Sequence, residues 1–199
     1  MIHLQLATSN ADKAAELRKL LGAGFVLEDL ATHPEVGEVV EDGATFDENA
    51  RLKAIAVSRQ LPGLVLADDS GLEVDSLGGA PGIRSARYAG ETATDIQNRA
   101  KLSNAVTQLP ASASRRARFR CVLALARDGK CIQTFEGMVE GTIVPEARGT
   151  AGFGYDSLFQ PNESDKTFAE LSATEKNAIS HRASAAAKLR DFLQTSRSG

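Results

Sequence analysis

The chain is poor in cysteine, in excess positive charge and in long apolar runs, and each shortage closes off a class of protein. It has two cysteines, Cys121 and Cys131, among 199 residues. That is too few for a disulfide framework, and no spacing suggests zinc. Both lie in runs that read as strands. They could face each other across a hairpin, but two reduced core thiols is the better reading of so cysteine-poor a chain. Lys and Arg number 23 against 26 Asp and Glu, a formal net charge of −3. No global basic field exists to draw nucleic acid, so no nucleic-acid partner is expected. A small anion needs only local cations and stays open as a ligand. No apolar run reaches membrane-spanning length, so no membrane partner is expected. The opening MIHLQLATSN lacks the basic region and long apolar stretch of a signal peptide, which makes the cytoplasm the expected location. There is no internal repeat, low-complexity segment or obvious linker. The expectation is a single domain over residues 1–199, folded as two continuous lobes.

What is present alternates between helical and extended patterns. Met1–Ala7 reads as a strand, broken by Thr8-Ser9-Asn10 and followed by a helix over Ala11–Leu21, which Gly22 and Gly24 end. Phe25–Ala31 and Glu35–Val40 read as short strands. Thr45-Phe46-Asp47-Glu48 is a capping-box pattern opening a helix to about Gln60. Leu64–Ala67 is a buried-type strand expected to end in Asp68-Asp69-Ser70-Gly71. Leu77–Gly90 reads as a structured loop, and Thr94–Leu109 as a helix. Arg116–Ala126 and Cys131–Val144 read as long strands joined by the turn Asp128-Gly129. Arg148–Tyr155 is a second glycine-rich loop. Ser172-Ala173-Thr174-Glu175 is another capping box, opening a last helix to about Leu193, and Arg197–Gly199 reads as a frayed tail. The class is α/β, with an elongated mixed β-sheet flanked by helices and two lobes around a central cleft.

Four places can carry chemistry, each with a plain alternative. Thr8-Ser9-Asn10-Ala11-Asp12-Lys13 joins a strand to a helix start, where N–H groups and the helix dipole suit phosphate; taken alone, ordinary capping accounts for it. Asp68 and Asp69 are adjacent acids that would repel if both were buried and unpaired. A hard cation such as Mg2+ would remove that cost, and extended backbone should aim the two carboxylates apart. An exposed turn explains them about as well. Glu41 and Asp42 lie in sequence reach of the same metal, and Lys53 follows Thr45 on its helix; alone, all three read as solvated charges. Gly152-Phe153-Gly154-Tyr155-Asp156 offers close backbone approach and a ring to stack on a base, or simply a tight turn. Lys176, Ser180, His181 and Arg182 offer donors on the last helix. Such donors favour a base with an oxygen at its six-position over adenine, whose amino group would leave them unpaired. A polar helix face is the plain alternative.

Together the segments LATSNADKAAEL, TFDENARLKA, LADDSGLEVDSLGGAPGIRSARYAG, GFGYDSLF and LSATEKNAISHRA occur in one order that resembles the Ham1-like noncanonical purine nucleotide pyrophosphatases. The resemblance runs from Leu6 to about Leu189. It implies hydrolysis of ITP, dITP and XTP to the monophosphate and pyrophosphate, in a fold of two lobes with a cleft, and usually as a homodimer. It makes Thr8–Lys13 the phosphate loop, Asp69 the water-activating residue, and Glu41 with Asp69 the ligands of Mg2+. It puts Ser70 against the substrate, Phe153–Asp156 around the base, and Lys176, His181 and Arg182 as base readers; Lys53, from its place on the helix that Thr45 opens, is expected to reach a phosphate. Ser9 stands where many members have Gly, and Ser157 where Pro is frequent. A nucleotide sensor, a hydrolase of another modified nucleotide and a nucleic-acid module are the competing readings. The three acids Glu41, Asp68 and Asp69 oppose the first, and the acidic charge balance opposes the last.

Overall fold

The first strand, β1 (Ile2–Ala7), buries Leu4 and Leu6 while His3 and Gln5 face outward, the period-two alternation of a half-covered strand. The structure, a computed structural model, describes residues 1–37 and 39–195. Asn10 ends the turn after β1 and caps α1 (Ala11–Leu21), its Oδ1 accepting from Lys13 N–H at 3.0 Å. Ala14, Leu17 and Leu21 form the buried stripe of that helix. After β2 (Phe25–Asp29), Thr45 caps α2 (Phe46–Ser58) by accepting from Glu48 N–H. The expected strand Glu35–Val40 is not formed by Glu35 and Val36, which sit in a turn and a bend, and Glu38 lies outside the described residues. The expected tail Arg197–Gly199 also lies outside them.

β3 (Leu64–Val74) corrects one expectation: Asp68-Asp69-Ser70-Gly71 lies inside the strand, not at its end. The acids do not break it because each carboxylate meets cations, described below. α3 (Asp95–Thr107) opens on a complete Thr94–Gln97 capping box. β4 (Arg116–Arg127) and β5 (Lys130–Ile143) form the expected hairpin, turned by Asp128 at φ 51° and Gly129 at φ 74°. Two successive positive φ values give the twist that a two-residue hairpin requires. A short β6 (Phe159–Pro161), not foreseen, pairs antiparallel with β5. The expected last helix is two: α4 (Ala173–Ile179) and α5 (His181–Thr195), broken where Ser180 turns extended at ψ 153°.

The strands form one mixed sheet in the order β2-β1-β3-β4-β5-β6, with β1 parallel to both β2 and β3. This is the expected α/β class. The chain divides into two compact units. The first comprises Met1–Asp69, Cys121–Gly137 and Arg182–Gly199; the second comprises Ser70–Arg120 and Met138–His181. Each has its own core. Leu4, Leu6, Leu17, Leu66, Leu123, Leu125 and Leu189 pack in the first. Leu72, Leu102, Phe119, Phe159 and Phe168 pack in the second.

Both cysteines are free and in the first unit. Cys121 is a buried core thiol as expected, but Cys131 is only half-buried, beside Arg51 Nη1 at 3.5 Å.

Candidate active site

In the first unit, the turn after β1 is exposed from Ser9 to Asp12, at the N-terminus of an eleven-residue helix. Thr8 Oγ1 accepts from Asn10 N–H at 3.1 Å, which shapes the turn, and Asn10 in turn accepts from Lys13 N–H. Helix geometry leaves the first N–H groups pointing outward, an anion site by construction. The Lys13 ammonium lies 2.8 Å from Asp68 Oδ1.

Asp68 is fully buried. Its second oxygen accepts from Arg182 Nε at 2.8 Å and from the Cys121 thiol at 3.4 Å. Burial would raise the Asp68 carboxyl, but the Arg182 and Lys13 charges and their hydrogen bonds hold it well below the usual range. Arg182 is itself buried, and its other partner is Glu16 on α1. Burial pushes the Arg182 guanidinium down, and Asp68, Cys121 and Glu16 push it further up, so it stays charged. Burial pushes the Cys121 thiol well up, and the Asp68 carboxylate adds to the shift, so Cys121 remains a protonated donor.

Asp69 points to different partners. Its Oδ1 lies 3.5 Å from Lys53 Nζ, which also sits 3.0 Å from Glu41 Oε2 and donates to the Asp68 carbonyl at 2.8 Å. The other oxygen, Asp69 Oδ2, is buried and finds no hydrogen-bond partner among the described residues. Burial raises the Asp69 carboxyl, against the lowering pull of Lys53 and Lys13 and with Glu41 and Asp68 adding to the rise. An unsatisfied buried carboxylate oxygen beside a second acid is the chemistry that a hard cation satisfies. Among the described residues no group of three or more His, Cys, Asp or Glu side chains is placed to hold a metal. A two-acid set fits magnesium, which usually takes one or two carboxylates and leaves the rest of its shell to water and phosphate.

The second unit holds the other expected residues: Ser70, Phe153–Asp156, Lys176 and His181. Lys176 and Asp156 form a buried pair at 2.6 Å, with side chains 7% and 6% exposed. Asp156 Oδ2 also accepts from Phe153 N–H at 3.0 Å, closing the glycine-rich loop on itself. Gly152, at φ 72°, has no room for a side chain, because a Cβ there would run into Asp156 Oδ2. The Lys176 ammonium lies 5.2 Å from the Phe153 ring centre and 5.5 Å from that of Phe168, within cation–π range. His181 is buried and stacks on Phe119, with centres 4.8 Å apart and planes 10° apart. Arg182, expected beside Lys176 and His181, belongs to the first unit and engages Asp68 and Glu16 there.

Several residues here carried no weight in the sequence. Glu16 stands three positions after Lys13, so it shares a helix face with it, a signal that was legible. Cys121 and Phe119 meet their partners only through tertiary packing.

The Ham1 family model matches residues 4–192. A dITP/XTP pyrophosphatase of Desulforamulus reducens is 48% identical over 191 residues, covering 96% of this chain and 94% of the relative. One of Bacillus subtilis is 46% identical over 190 residues, covering 95% and 96%. The solved structure of a HAM1 protein from Coxiella burnetii superposes with a TM-score of 0.87 at 40% identity, over 98% of this chain and 100% of that one.

Proposed function

The chain belongs to the Ham1 family, and from this we infer that it hydrolyses noncanonical purine nucleoside triphosphates, ITP, dITP and XTP, to the monophosphate and pyrophosphate. The observation that carries the chemistry is the Asp68–Asp69 pair: neighbours in one strand, one neutralised by Lys13 and Arg182, the other left with a buried unsatisfied oxygen. In this reading the Thr8–Lys13 turn holds the triphosphate, with Lys13 and Lys53 supplying full charges and the helix N-terminus the rest. Glu41 and Asp69 would hold Mg2+, which when bound would supply neutralisation of phosphate charge.

Asp69 orients a water and takes its proton. The water oxygen bonds to the α-phosphorus as the bond from that phosphorus to its bridging oxygen breaks. Pyrophosphate leaves with that oxygen, and Lys13 and Lys53 stabilise its charge. Asp68 holds Lys13 and Arg182 and takes no part in proton transfer, since its depressed pKa makes it a poor base. Ser70 contacts the substrate. Phe153–Asp156 enclose the base, with Phe153 stacking on it and Asp156 fixing Lys176. Lys176, His181 and Arg182 supply donors that a six-position oxygen satisfies, which excludes adenine; for Arg182 this requires sharing with Asp68 and Glu16.

Family resemblance supports a homodimer, and a free nucleotide substrate supports a cytoplasmic site of action. Among the described residues no helix is long and apolar enough to cross a membrane. Incubation with ITP, XTP, ATP and GTP, with and without magnesium, tests the function. Inosine monophosphate and pyrophosphate from ITP, little turnover of ATP and none without metal are expected. Inosine diphosphate with orthophosphate, or no turnover of ITP, would refute it.

A further inference from the structure

The glycine-rich loop is held by more than its own turn. Gly154 stands at φ 57°, and α3 takes both of its backbone groups. Its N–H donates to Asp95 Oδ2 at 2.7 Å, and its carbonyl accepts from Arg99 Nη1 at 2.8 Å. Asp95 and Arg99 are four apart on α3 and so share a face. Both bonds involve a charged partner, the shorter and stronger kind. The next residue is anchored as well: the Tyr155 hydroxyl donates to the Ser85 carbonyl at 2.8 Å.

α3 does not need these two bonds to stay in place. Leu102 and Val106 pack it into the second core. Asn98, almost fully buried, donates to the Ala86 carbonyl at 2.9 Å and accepts from Ala89 N–H at 2.8 Å. Asp95 is exposed and Arg99 half-buried, so neither contributes much to the core. What the bonds hold is the loop, and with it the ring of Phe153 one residue away.

We propose that Asp95 and Arg99 are positioning residues for substrate selection, a backbone clamp that fixes the Gly154 peptide and thereby sets Phe153 for the incoming base. This rests on the reading of Phe153–Asp156 as the base-binding loop. A loop ordered beforehand loses less freedom when the nucleotide binds, so the clamp acts on binding and leaves the chemical step alone.

The test is steady-state kinetics on Arg99→Ala, Arg99→Lys, Asp95→Ala and Phe153→Ala in the full chain, with thermal midpoints and amide hydrogen exchange. Loss of either clamp bond should raise KM for ITP by about five- to tenfold, the net worth of one hydrogen bond partly open to solvent, with kcat within about twofold. Arg99→Lys, which keeps a donor, should recover most of the KM, and the Gly154 amide should exchange faster in Asp95→Ala. If Phe153→Ala raises KM and the clamp variants do not, the clamp is refuted while the loop keeps its role. If Phe153→Ala leaves KM unchanged, the base-binding role of the loop fails and the clamp fails with it. A collapsed thermal midpoint in Arg99→Ala, without rescue by lysine, would make Arg99 a stability residue and overturn the proposal.

Discussion

In the first unit the candidate site is a lattice of charge: Lys13, Lys53 and Arg182 against Glu16, Glu41, Asp68 and Asp69. In the second it is mostly rings, with His181 on Phe119, Phe119 on Phe159 and Phe168, and a buried ion pair, Lys176–Asp156, set against Phe153 and Phe168. In the proposed reading the two units use different forces for different targets. Phosphate and metal are point charges, and a buried, neutralised carboxylate that holds two cations in place serves them without a shaped surface. A base is flat and differs from its competitors by one donor or acceptor, so it calls for stacked planes and fixed donors. Substitutions of Lys13, Lys53, Glu41 and Asp69 in the first unit should therefore strike every nucleotide alike, and those of the base-reading donors should separate one nucleotide from another.

The sharpest break of that contrast is Asp69→Asn, which keeps the shape and removes the base. Turnover should fall by about 10³-fold, the range for a lost general base, equally for ITP and XTP and with the thermal midpoint kept. Side-by-side kinetics on the two substrates check it, and a near-normal rate would sink the assignment. Next in size is Lys176→Met in the second unit. It leaves the Asp156 carboxylate buried without its cation, at a cost of about 3–5 kcal/mol read by denaturant unfolding. A smaller cost would mean that water reaches Asp156.

The neighbouring acids in β3 should also respond to pH with opposite sign in metal-free protein. Asp68, depressed when folded, contributes stability that is complete above its ordinary value of 3.8 and is lost as pH falls through the folded value. Asp69, raised when folded, costs stability once ionised, and that cost is relieved as pH falls through its raised value. The gap in thermal midpoint between wild type and Asp68→Asn should therefore shrink only below about pH 3.8. A gap that already closes between pH 6 and 5 would contradict the depressed state of Asp68. The smallest effect is His181→Ala, expected to cut the ITP-to-ATP ratio of kcat/KM by about tenfold, or 1.4 kcal/mol, the scale of one donor–acceptor contact. An unchanged ratio would remove His181 from base selection.

Much of this was legible in the sequence where the cause is local. Asn10, Thr45, Thr94 and Ser172 cap helices where their side chains fall just before periodic apolar residues, and Asp128-Gly129 turns the hairpin because both positions accept positive φ. The failures have tertiary causes. Adjacent acids read as a strand end, yet Lys13, Arg182 and Lys53 let β3 carry Asp68 and Asp69 through its middle. The capping box at Ser172 pointed to one helix to about Leu193, but Ser180 turns extended and a second helix starts at His181. The partners of Asp68 and of Gly154 lie dozens of residues away in the chain, at Cys121 and Arg182 and at Asp95 and Arg99, and no local pattern pairs them.

The most direct test of the proposed reaction is where the water goes. Hydrolysis of XTP should be run in water enriched in oxygen-18 and the products weighed by mass spectrometry. Attack at the α-phosphorus places the label in xanthosine monophosphate and leaves pyrophosphate unlabelled. Label in pyrophosphate or in orthophosphate would mean that water attacks another phosphorus, and the roles given to Asp69, Lys13 and Lys53 would have to be reassigned.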